Sequence, residues 1–136
     1  MTSLVQILTL RSSILRNLKN KTMKDYMFLF RGGMDFATTT PEEIANAMQK
    51  WKVWLDGLAA DGIYEGNGER LVPGTGTVLS GASKYMTDGP FAEGKEMVGG
   101  FVAIKAESGT QAAEIAKGCP IFDYDGVVEI CEIVKM

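Results

Sequence analysis

Three segments of this chain are apolar on both faces of an extended strand: YMFLFR at 26–31, MVGGFVAIKA at 97–106 and GVVEICEIV at 126–134. Successive side chains of a strand point to opposite sides of the sheet. Phe28 and Leu29, Phe101 and Val102, and Val127 and Val128 therefore project both above and below any sheet these segments build. A sheet with one dry and one wet face would show clean alternation instead. This chain needs cover on both sides.

One cover is legible between the strands. TTTPEE reads as a helix start, with Thr40 as N-cap, Pro41 at the first helical position and Glu43 closing a capping box. Ile44, Ala47, Met48, Trp51, Trp54, Leu55 and Leu58 follow at steps of three and four and form an apolar stripe. The helix is expected to stop near Asp61–Gly62, where glycine suits a C-terminal cap. A second helix, SGTQAAEIAKG at 108–118, pairs Ser108 with Gln111 at its start and carries Gly118 at its end. Ile63–Leu71 reads as a weak strand interrupted by EGNGE, and Thr77–Leu79 with Lys84–Met86 as a short hairpin.

The order strand, helix, strand, strand, helix, strand is that of an α+β ferredoxin-like βαββαβ domain with a four-stranded, mainly antiparallel sheet. Right-handed crossovers place both helices on one face. The other face stays bare and apolar, and its expected cover is a second copy of the chain, sheet against sheet, in a homodimer.

Charge and residue content narrow the function. The 136 residues suit one domain, and the net charge of −3 provides no basic footprint, so direct nucleic-acid binding is not expected. Residues 1–22 hold Arg11, Arg16, Lys19 and Lys21 and no acid, which leaves ten cations against 17 carboxylates, or −7, for 23–136. A secretory signal, a transit-type presequence and an upstream extension compete for this segment. The extension is favoured, because the strand pattern begins after Met23; the expected domain is 23–136. No run approaches the roughly 18 apolar residues of a membrane span.

Cys119 and Cys131 are the two cysteines, and there is no histidine. Their separation offers no metal-ligand spacing, so neither a metal nor a cofactor is expected, and a reduced, cytoplasmic setting is. A pairing between them stays open at this level. Without histidine, a Ser-His-Asp or Cys-His site cannot be built. The glycine-rich PGTGT and GNGE neither follow a strand nor open a helix, as phosphate-cradling loops do, and read as turns.

TDGPFAEGKEMVGG at 87–100 is the stretch least like scaffolding. Asp88–Gly89 is a turn pair, Pro90 fixes the backbone after it, and Phe91 needs apolar surroundings. Asp88, Glu93 and Glu96 supply carboxylates around Lys95. Held close together or desolvated, carboxylates shift toward neutrality and can act as acid or base. Composition alone favours a solvated connection between strands.

TDGPFAEGKEMVGGF closely resembles the signature of the DGPF group in the YCII-related family, with KWKVWLDGLAADG, ERLVPGTG and AEIAKGCPI in the matching order, over about Met23 to Val134. The resemblance implies a ferredoxin-like fold of the dimeric α+β barrel superfamily, dimers packed sheet to sheet, and a pocket between helix and sheet bordered by the DGPF loop. It makes Asp88, Gly89, Pro90 and Phe91 the motif positions, continued by Glu93, Lys95 and Glu96. Some members are labelled as transcription-initiation proteins, a label that an acidic chain does not support. Smaller relatives pair a histidine with an aspartate; this chain has no histidine, so that mechanism does not transfer. The expectation is a small-molecule site at Gly89, Pro90, Phe91, Glu93, Lys95 and Trp54, with Asp88 or Glu96 as a cofactor-free base. The alternative is a non-catalytic interaction or regulatory accessory module, with the DGPF carboxylates capping backbone N–H groups of their own loop.

Overall fold

A computed structural model describes residues 22–88 and 97–136, Asp88 by its backbone only. The expected extension at 1–22 lies outside the described residues apart from Thr22. Strand β1 (Lys24–Arg31) leads to helix α1 (Pro41–Ala60) and strand β2 (Tyr64–Arg70). A hairpin of β3 (Thr77–Ser80) and β4 (Tyr85–Asp88) comes next, then β5 (Val98–Ala106), α2 (Gly109–Ala116), a 3₁₀ turn (Pro120–Tyr124) and β6 (Val127–Glu132). The main sheet has the order β2-β5-β1-β6, with every neighbouring pair antiparallel. The βαββαβ arrangement is thus realised by β1, α1, β2, β5, α2 and β6. β3 and β4 form a separate two-stranded sheet, inserted between β2 and β5.

The sheet divides its apolar residues as the alternation requires. Tyr26, Phe28 and Phe30 from β1 and Val102, Ile104 and Ala106 from β5 are buried on the helix side, where Leu58, Ile63, Ala112, Ile115 and Ala116 join them. Met27, Leu29, Phe101 and Ala103 stand on the opposite face, partly exposed. The Arg31–Glu129 and Lys105–Glu65 ion pairs flank that apolar strip. Among the described residues no helix is long and apolar enough to cross a membrane.

The first helix begins and ends for local reasons. The Thr40 hydroxyl accepts the Glu43 N–H at 3.2 Å, with Pro41 following it. At the other end Gly62 has φ +75°, a conformation that costs other residues about 1–2 kcal/mol. Its N–H donates to the Ala59 carbonyl and the Ile63 N–H to the Leu58 carbonyl, at 3.1 and 2.9 Å, which is the Schellman pattern. Leu58 and Ile63, the pair that this motif brings together, are both in the core. Met48 departs from the expected stripe: it is 37% exposed, at the stripe's edge.

The second helix ends differently from its expectation. Ser108 accepts the Gln111 N–H at 3.2 Å, and the Gln111 side chain takes the Glu107 N–H at 2.8 Å. Gly118, however, does not adopt a left-handed cap. The chain leaves α2 through shorter-range bonds, from the Gly118 N–H to the Ile115 carbonyl and the Cys119 N–H to the Ala116 carbonyl. What this position requires is space: a Cβ there would sit 3.2 Å from the Trp54 indole nitrogen. The glycine answers to a side chain from the other helix.

Candidate functional site

Of the sequence-derived site residues, Gly89, Pro90, Phe91, Glu93, Lys95 and Glu96 lie outside the described residues. Asp88 closes β4, where its backbone pairs with Thr77. β5 begins at one end of the main sheet. Val98 pairs with Arg31 at the end of β1, and the Leu71 N–H donates to the Gly99 carbonyl just beyond β2.

A polar cleft of about 770 Å³ opens at that same end. One wall is the connection from β1 to α1. Its Asp35 carboxylate accepts the Ala37 N–H at 3.0 Å, while the Asp35 carbonyl accepts the Thr38 N–H at 3.3 Å and both threonine hydroxyls of residues 38 and 39. These bonds shape the turn that sets Thr40 at the head of α1. The Arg70 guanidinium lies 3.8 Å from the Phe36 ring centre and ties this connection to the end of β2. The second wall is α1 itself, with Glu43, Asn46, Gln49 and Lys50 at helical spacing, and Tyr124 comes from the 3₁₀ turn. Lys50 pairs with Asp123 at 3.3 Å. The cleft therefore presents two carboxylates, two amides, one ammonium, one threonine hydroxyl and one phenol, a donor and acceptor set suited to a small polar molecule. Sequence reasoning missed these residues because Glu43, Asn46, Gln49 and Lys50 look like any solvated helix face. The one available signal was their spacing beside a turn with Asp35 and three threonines.

Trp54 lies elsewhere. It lines a neighbouring groove of about 520 Å³ between α1 and the turn after α2, with Val53, Gly118, Pro120 and Phe122. Trp51, half-buried, meets Phe30 edge-on at 5.1 Å between ring centres and Trp54 at 5.8 Å, so the tryptophans pass from core to groove. Among the described residues no group of three or more Cys, Asp or Glu side chains could hold a metal ion. Both cysteines are free thiols. Cys119 is buried in the helix-side core, whereas Cys131 pairs in register with Met27 and faces the other way.

Burial pushes the Cys119 thiol from an ordinary value near 9.0 up to about 12; a backbone hydrogen bond at Ile121 opposes the shift and the Asp123 charge adds to it. Folded Cys119 thus keeps its proton while the unfolded chain loses it. The associated stability is fully present below about 9 and falls as pH rises toward about 12, by about 1.4 kcal/mol per pH unit at most. Urea unfolding at about pH 8 and about pH 10 should show a steeper loss for the natural protein than for Cys119→Ala. Equal losses would rule the thiol out as the source.

An antiparallel four-stranded sheet in the order β2-β5-β1-β6 with two helices on one face defines a ferredoxin-like α+β fold. The chain belongs to the YCII-related domain family, whose model matches residues 25–136. No curated protein matches the chain.

Proposed function

We propose that this YCII-related protein is a homodimer that binds a small polar molecule at the end of the sheet where the Asp88–Glu96 segment joins β5. The observation that supports this reading best is the cleft lined by Asp35, Glu43, Asn46 and Tyr124 at that end. The fitting reaction class is cofactor-free proton transfer, an isomerisation or elimination. Asp88 or Glu96 removes a proton made acidic by a neighbouring carbonyl, and Lys95 holds the negative charge that develops. Support for the dimer comes from the apolar strip Met27, Leu29 and Phe101 on the face without helices.

Exchange of α-protons of small 2-oxo acids in D₂O, followed by NMR, tests the chemistry. The natural protein should accelerate exchange, and Asp88→Asn or Glu96→Gln should slow it by about 10²-fold or more at unchanged thermal stability. Exchange at the buffer rate, with both substitutions lowering the melting temperature, would replace this reading with a structural clamp. Sedimentation at micromolar concentration should show a dimer and Leu29→Glu a monomer; a natural protein that stays monomeric overturns the dimer. The second reading, a non-catalytic interaction module, is favoured by one observation. Leu79, Tyr85 and Met86 are each about three-fifths exposed on the β3–β4 hairpin, at 59%, 65% and 63%.

A further inference from the structure

We propose that the groove at Trp54 is a second binding site, taking a flat, apolar monocarboxylate. Its walls are apolar side chains that the fold leaves open to solvent: Val53 is 62% and Phe122 48% exposed. Its floor is rigid. The Trp54 indole is held on one side by the edge-on contact with Trp51 and on the other by the Gly118 backbone, where no side chain intervenes. An open groove of about 520 Å³ with an aromatic surface suits a planar apolar body.

The charges select the head group. Lys50 and Lys117 line the groove against one carboxylate, Asp123, an excess of one positive charge on a chain whose net charge is −3. Cys119 adds no anion, being buried and protonated. Lys117 pairs with Glu114 at 2.7 Å, but both side chains are well over half exposed. Such surface pairs are weak, and a ligand carboxylate can replace Glu114 at little cost. Residues 1–21 cannot supply the occupant's charge, since they hold four cations and no acid. Val53, Lys117 and Phe122 take no part in the cleft of the proposed reaction, so the two sites can fail separately.

The test follows the Trp54 indole N–H signal by NMR, assigned through Trp54→Phe, while 2-naphthoate is added to the full chain. The expected result is a saturable shift, about tenfold weaker for uncharged 2-naphthamide and in Lys117→Gln, and weaker again in Phe122→Ser. Lys117 is largely exposed and Phe122 about half exposed, and retained dispersion of the indole signals verifies folding. No shift at millimolar 2-naphthoate, an equal response to the amide, or a response untouched by both substitutions overturns the proposal.

Discussion

Phe28→Ala should cost about 3–5 kcal/mol, the range for truncating a fully enclosed aromatic side chain. Phe28 is at 0% exposure in the middle of β1, paired with Val102 on one side and Ile130 on the other. Removing its ring leaves a cavity that neighbours fixed by the ladder cannot fill. A domain of this size has about 5–15 kcal/mol in all, so the variant should approach the edge of folding. Urea unfolding should show a lower midpoint with an unchanged slope. Leu29→Ala is the internal control, one residue along and on the opposite face. In a monomer its cost should be well below that of Phe28→Ala; in a dimer it should depend on protein concentration. A loss under about 1 kcal/mol for Phe28→Ala would contradict the assigned core.

Gly126→Ala should cost about 3 kcal/mol, the upper part of the range for overpacking. A Cβ at residue 126 would lie 2.3 Å from Ile121 Cγ1, 2.8 Å from its Cδ1 and 3.0 Å from its carbonyl oxygen. Ile121 is itself in the core at 5% exposure, and a β-branched side chain has few rotamers to retreat into. The backbone cannot yield easily either, because the Gly126 N–H donates to the Ile121 carbonyl at 3.0 Å and Asp125 already holds φ +60°. Ile121→Val should relieve part of the clash, so the double variant should be more stable than the two single losses predict. Gly57→Ala supplies the contrast: it lies within α1 with nothing within 4 Å, and should stabilise by about 0.5–1 kcal/mol. Equal effects at 57 and 126 would mean that contact with Ile121 does not matter.

The elements that could be read from sequence are those specified by neighbours in the chain. Thr40, Pro41 and Glu43 mark the start of α1, and Gly62 with Ile63 its end, because capping bonds span three to five residues. The two-residue alternation of β1 and β5 likewise separates Phe28 from Leu29 without reference to any strand pairing. β2 was harder. Its register shifts between Tyr64 and Gly68, and where a shift falls depends on the partner strand. Met48 sat on the right period, but its exposure depends on how far the sheet extends beneath α1.

The site divides along the same line. Alternation, capping and helical period are local, so the βαββαβ order, the two apolar sheet faces and the absence of any histidine-based chemistry are legible in the chain alone. That Lys50 meets Asp123, that Trp54 lies against Gly118 and that Glu43 shares a cleft with Tyr124 emerges from long-range packing. Each of those pairs is more than 60 residues apart in the chain. Their proximity follows from how α1 packs against the turn after α2, a balance of side-chain volumes that no short-range pattern encodes.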